Sequence, residues 1–147
     1  VRVATDLVFI AMLATVTVTD LRRRLIPNRV LLVAVAVGVP PLALADADSL
    51  PGHLAAALLA GGAFLGIAVA RPGGFGLGDV KLIGVMGLFL GEAVLGAVLV
   101  ALFAGSVFGL ALCLRHGAAA IKWTIPFGPF LALGGLVALC GAVSPLQ

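Results

Sequence analysis

The fold class this sequence predicts is an all-α membrane protein, a bundle of about six transmembrane helices. Three observations predict it. Of the 147 residues 63% are hydrophobic and 10% charged, with a mean hydropathy of +1.29, whereas a soluble domain is roughly 45–50% apolar and about 25% charged. The apolar residues fall into six runs separated by charges or by Gly and Pro. The basic residues gather in alternate loops, the pattern that sets orientation in a bilayer. So few charges cannot cover so much apolar surface in water, and the solvent around most of the chain is therefore lipid. The length suits one domain over residues 1–147, with no polar stretch long enough for a separate module. The net charge of +3 needs no nucleic-acid partner, because topology already sorts the basic residues.

The first span, Val3–Thr19, follows Arg2 and could pass for a signal peptide, but no small-x-small cleavage site closes it and Arg22, Arg23 and Arg24 follow as a stop-transfer signal. The second span is Val30–Ala45 and the third Leu54–Ala70. The fourth, Asp79–Leu90, is short: at ~1.5 Å per residue it covers about 18 Å, against a hydrocarbon core of roughly 30 Å. It either starts in a thinned or water-filled region or runs past Gly91 and Glu92. Merging it with the fifth, Ala93–Leu114, gives about 36 residues, too long for one crossing. Pro126–Val143 is the sixth. Gly is abundant, 20 residues, and membrane helices use it for close packing. The loops holding Arg22, Arg23, Arg24 and Arg29, then Arg71 with Lys81 just beyond it, then Arg115 and Lys122, share one side, which is expected to be cytoplasmic. Both termini are then extracytoplasmic, in the cytoplasmic (inner) membrane.

The chain holds six acidic residues. Asp46 and Asp48 read as solvated turn residues beside Ser49, Pro51 and Gly52, and Glu92 reads the same way. Asp6 is four residues after Arg2, a spacing suited to a local ion pair. Asp20 and Asp79 differ, because each sits where an apolar span meets the cytoplasmic side and the topology places them at similar depth. Ionisable groups there are costly and mark either a function or a partner. On position alone two readings stand: each pairs with a nearby base (Arg23, Arg24 or Lys81), or the two work together. Two facing carboxyls would share one proton, so that one takes a proton from water while the other polarises a carbonyl, with no metal or cofactor.

Other hydrolytic machinery is missing. There is no H-E-x-x-H motif, and His53 and His116 fall on opposite sides. Ser106 lacks the glycines of a nucleophile elbow, and Cys113 and Cys140 have no metal-binding spacing.

The segment Gly73-Gly74-Phe75-Gly76-Leu77-Gly78-Asp79-Val80-Lys81-Leu82 resembles the G-x-G-D signature of membrane aspartic peptidases, and its D-x-K-L continuation is most similar to the type IV prepilin peptidase family. Thr19-Asp20, the basic stretch and Ile26-Pro27-Asn28 resemble that family's first catalytic segment, and Ile125-Pro126-Phe127-Gly128-Pro129-Phe130 resembles a further proline-rich element. Three elements in order over nearly the whole chain make the resemblance specific. It implies Asp20 and Asp79 as a catalytic pair that cleaves the short leader of prepilin or pseudopilin precursors at the cytoplasmic face. With no C-x-x-C, the chain is similar to small peptidase-only forms of Flp or tight-adherence pilus systems, and methyltransferase activity is unsupported.

The supporting residues carry expectations of their own. Gly73, Gly74, Gly76 and Gly78 permit close backbone approach, and Gly78 puts Asp79 near a helix N-terminus, whose dipole favours the ionised carboxylate. Pro27 and Pro126 are expected at first helical positions. Pro126 and Pro129 leave backbone groups unpaired, where an extended substrate could add as a strand. Lys81 is expected to orient Asp79 or to meet a substrate carboxylate. Two rival readings are an ion-coupled transporter, which predicts internal repeats and midplane charges, and an inactive structural subunit of a pilus or secretion assembly, which predicts a decayed motif.

Overall fold

The computed structural model of the chain describes residues 2–73, 75–117 and 125–143. Gly74 and Lys122 lie outside the described residues. Six helices follow in order: α1 Arg2–Arg23, α2 Asn28–Ala45, α3 Leu50–Ala70, α4 Leu77–Leu90, α5 Ala93–His116 and α6 Gly128–Val143. Each expected span is present, with ends shifted by up to four residues. Four helices, α1, α2, α3 and α5, are long and apolar enough to cross a membrane.

The two short helices survive by position. At 14 residues α4 reaches about 21 Å, still well short of the hydrocarbon thickness. It packs against all five other helices and buries Val80, Leu82, Ile83, Met86 and Phe89, so protein rather than lipid surrounds most of it. A polar backbone end within the membrane is tolerated where protein or water, not hydrocarbon, meets it. The expected run past Gly91 and Glu92 is not adopted, because Gly91 turns the chain at φ +57° and ends α4 at Leu90; the short helix lies central among the other five instead. Around α4 stand the pairs α1–α2 and α5–α6, α3 packs along it, and α1 closes on α6.

The core is one cluster: Phe9, Leu13 and Val16 of α1, Leu31 of α2, Leu82, Ile83 and Met86 of α4, Val94 and Ala97 of α5, and Leu131 of α6. The rings of Phe9 and Phe89 stack at 5.1 Å. Outward-facing Leu32, Leu44, Leu58, Leu59, Leu99, Phe103 and Leu114 give the apolar exterior that a bilayer requires. Within α1, Thr15 and Thr17 donate their hydroxyls to the carbonyls of Ala11 and Leu13, which lets them sit in an apolar phase.

Small residues set the spacing between α3 and α4. A Cβ added to Gly87 would lie 2.6 Å from Ala57 Cα, and one added to Gly61 would lie 3.2 Å from Gly84 Cα. Gly87→Val is therefore expected to push the two helices apart and cost about 1–3 kcal/mol as overpacking. Gly62, with nothing within 4 Å of an added Cβ, should accept alanine without loss. Thermal unfolding of the detergent-solubilised variants checks the contrast; equal melting temperatures for Gly87→Val and wild type would refute it.

The end of the bundle away from the basic loops has its own ties. Arg2 meets Asp46 across the α1–α2 pair at 3.7 Å, rather than the Asp6 expected from spacing. Both ends of the chain's first hairpin meet there, which brings Asp46 within reach. His53 Nδ1 donates to the Leu88 carbonyl at 2.9 Å, and its ring covers Gly91, whose φ of +57° turns the chain from α4 to α5. Asp46 accepts from the Ser49 backbone N–H, as a turn residue should. No disulfide joins Cys113 and Cys140.

Candidate active site

Asp20 lies in the last turn of α1. The helix stops one turn later at Arg24, whose φ of +52° is left-handed and whose N–H donates to the Asp20 carbonyl at 2.8 Å. The Asp20 side chain points inward and is 6% exposed, among residues that are otherwise nearly all apolar. A carboxylate so buried needs a donor. The donor is the backbone N–H of Gly128, 2.9 Å from Asp20 Oδ2 and 108 positions away in the chain.

The start of α6 is built to direct that one N–H. The first four N–H groups of a helix lack internal acceptors. Phe130 and Leu131 both donate to the Phe127 carbonyl, at 3.0 and 3.1 Å. Pro129 has no N–H. Gly128 is left, and Asp20 Oδ2 accepts a hydrogen bond from its N–H. Glycine is required there by space, because an added Cβ would lie 2.6 Å from Asp20 Oδ2.

Asp79 is the third residue of α4, and Gly76 is the N-cap, with extended backbone at φ −72° and ψ 135°. The Asp79 carboxylate curls back and accepts from the Gly76 backbone N–H, which is the half of a capping box that an acid at this position supplies. An added Cβ on Gly76 would sit 3.1 Å from Asp79 Oδ2. Asp79 is half-buried, and it lies close enough to Asp20 for the charge of one to act on the other. The two carboxyls thus come together at one end of the bundle, each on a backbone N–H at a helix N-terminus. The dipole argument made for Asp79 alone applies to Asp20 as well, so it does not single out Asp79 as the ionised member of the pair. Neither aspartate forms a salt bridge with Arg23, Arg24 or Lys81 among the described residues.

The remaining expected residues fall around this pair. Ile26 packs on Gly78, where an added Cβ would be 3.3 Å from Ile26 Cβ, so the Ile26-Pro27-Asn28 segment lies against the start of α4. Pro27 occupies the N-cap of α2 rather than its first helical position, which Asn28 takes. Pro126 precedes α6, and Pro129 stands at its second position. Both shifts have one cause: a proline's fixed φ is equally compatible with the extended residue before a helix. The strand-addition surface expected near Pro126 and Pro129 is already in use, because the Phe127 carbonyl and Gly128 N–H are bonded within the protein.

Lys81 does not orient Asp79. Its Nζ donates to Asn28 Oδ1 at 3.2 Å, because two residues of helix turn it to the opposite face of α4 from Asp79. The pair is exposed, so Lys81→Met is expected to cost under about 1 kcal/mol and to slow any reaction at the aspartates only a few-fold. Turnover of the variant decides this; a loss as deep as that of an Asp79 variant would place Lys81 at the chemistry after all.

Three residues without an assigned role in the sequence reading belong to the site. They are Ile26, Phe75 and Phe127, all inside the motif segments. Phe75 meets Phe127 edge-on at 5.5 Å. Their apolar character in otherwise Gly- and Pro-rich loops was the available signal. Among the described residues no group of His, Cys, Asp and Glu could hold a metal ion. Both aspartates lie at one end of the bundle, not at the mid-depth an ion-coupled transporter would use.

Comparison with known proteins gives a consistent answer. Residues 7–114 match the model of the type IV leader peptidase family. The chain is 38% identical over 134 residues to a prepilin leader peptidase/N-methyltransferase of Bacillus subtilis, covering 89% of this chain and 53% of that protein. Proteins of the same name from Burkholderia pseudomallei and Aeromonas salmonicida are 45% and 42% identical over 67 residues, or 45% of this chain and 21% and 23% of theirs. The chain therefore spans about half the length of the Bacillus relative. No solved structure matches it significantly.

Proposed function

Because the chain belongs to the type IV leader peptidase family, we propose that it is a membrane aspartic endopeptidase that removes the leader of prepilin or pseudopilin precursors. The proposal takes the peptidase half of its relatives' two-part name. One observation carries it: Asp20 and Asp79, brought from α1 and α4, sit together at one end of the bundle, each held by a backbone N–H.

The chemistry follows from the pair. Two facing carboxyls can divide base and acid work between them. The ionised member takes a proton from a water, whose oxygen attacks the peptide carbonyl carbon. The protonated member donates to the carbonyl oxygen as the tetrahedral adduct forms. Collapse of the adduct breaks the C–N bond and returns a proton to the leaving amine. No metal or covalent enzyme intermediate enters. The backbone donors hold the two side chains in place, so little reorganisation is needed when charge moves.

Orientation completes the reading. The aspartates share their end of the bundle with Arg22, Arg23, Arg24, Arg29 and Arg71, all exposed. Under the positive-inside rule that end is cytoplasmic, and the site faces the compartment in which a leader would await removal. Co-expression with a prepilin tests the proposal. A product shortened by the leader, appearing only when this chain is present, is the expected result; an unprocessed precursor would refute it.

A further inference from the structure

Each aspartate's backbone donor stands next to a phenylalanine. Phe75 precedes Gly76, which donates to Asp79, and Phe127 precedes Gly128, which donates to Asp20. The two rings meet edge-to-face, with centroids 5.5 Å apart and planes at 78°, the geometry that aromatic quadrupoles favour. The pair is braced on both sides. Phe75 meets Phe64 of α3 at 5.2 Å, while Phe127 leans on Phe130, which meets Phe108 of α5 at 5.6 Å. Room for Phe127 is left by Gly105 of α5, where an added Cβ would lie 3.2 Å from the ring. A row of rings thus crosses from α3 to α5 and passes between the starts of α4 and α6.

We propose that Phe75 and Phe127 are positioning residues of the peptidase site, a ring clasp that sets the distance between the helix start holding Asp79 and the helix start holding Asp20. The inference rests on the reading of those aspartates as the catalytic pair. The rings act through the backbone: moving Phe127 moves the Gly128 N–H, and with it the Asp20 carboxylate. On the opposite flank the contact of Ile26 with Gly78 bears on the other side of α4, and the clasp adds to the core packing a constraint that acts at the two helix starts themselves.

The full-length chain in lipid nanodiscs, assayed with a synthetic prepilin peptide, tests this. Misplacement of a catalytic group by about 1 Å can cost ~100-fold. Phe127→Leu and Phe75→Leu are each expected to lower kcat by about ten-fold or more, with KM changed by no more than about two-fold. The double variant should be no worse than about the poorer single one, since either change opens the same clasp. Phe127→Tyr, which keeps the ring, should restore kcat to within about three-fold of wild type. Phe108→Leu, two rings removed from the Gly128 amide, should lower kcat less than Phe127→Leu does. A rise in KM at constant kcat would make the rings a substrate wall instead, and unchanged kcat in Phe127→Leu would overturn the clasp.

A second readout needs no cleavage. Hydrogen exchange at the Gly128 amide, followed by NMR, should be slow in wild type and about ten-fold or more faster in Phe127→Leu. Equal protection in the two would overturn the proposal even if the variant were inactive. If wild type itself cleaves nothing, the peptidase reading fails, and Gly128 exchange still decides whether the clasp holds α6 on Asp20.

Discussion

Replacing either Asp20 or Asp79 by asparagine is expected to abolish leader cleavage, by ~1,000-fold or more, while the protein still accumulates in the membrane. Asparagine preserves size and polarity but can neither give nor take the proton. Each aspartate serves the same step, so loss of one leaves the other with no partner to exchange with, and the double variant should be no worse than either single one. At Asp20 the replacement can still accept from the Gly128 N–H through its amide oxygen. At Asp79 it can still cap α4 through Gly76. Folding should therefore survive, and membrane content of the variants, set beside the size of the co-expressed prepilin, separates chemistry from stability. Processing by either variant at near wild-type extent would remove the two-aspartate mechanism.

The second large effect is expected at a residue with no side chain. Gly128→Ala places a methyl 2.6 Å from Asp20 Oδ2 and 3.1 Å from its Cβ and Cγ. Either the carboxylate swings off the Gly128 N–H or the start of α6 backs away from α1. Both moves take Asp20 out of register with Asp79, and turnover should fall by ~100-fold or more. Gly78→Ala is the informative contrast. Its methyl would meet Ile26 at 3.3 Å, a side chain in a loop that can give by a few tenths of an ångström. A loss of about ten-fold or less is expected there. If the two alanine variants prove equally active, the contact between Asp20 and α6 has no part in positioning the acid.

The six helices were legible because charges, prolines and glycines punctuate this chain at nearly every boundary. Arg23, Pro27, Asp46, Arg71, Gly91 and Gly128 each lie within a residue or two of an end. The aspartates were legible for a different reason: in so apolar a chain two acids at the ends of spans stand out, and motif resemblance singled them out. What was hidden depends on long-range contact. Nothing near Asp20 announces that its donor belongs to a helix 108 residues on. Lys81 looks, in sequence, like a partner for Asp79, yet a residue two places along a helix points to another face, and its partner is Asn28. The pairing of Arg2 with Asp46 instead of Asp6 is the same kind of error, in which a local spacing lost to a neighbour supplied by the hairpin. That the shortest helix would be the hub could not be read from hydropathy, since an apolar segment looks the same facing lipid or facing protein.

The placement of α4 has a consequence for the surrounding bilayer. The annulus of acyl chains wraps chiefly around α1, α2, α3 and α5, which are 22, 18, 21 and 24 residues long, and scarcely meets the 14-residue rod inside. Hydrophobic matching is thus settled by the outer staves, about 27–36 Å tall at 1.5 Å per residue. The inner rod is thereby released from matching the bilayer's thickness, since protein rather than acyl chains meets most of its length.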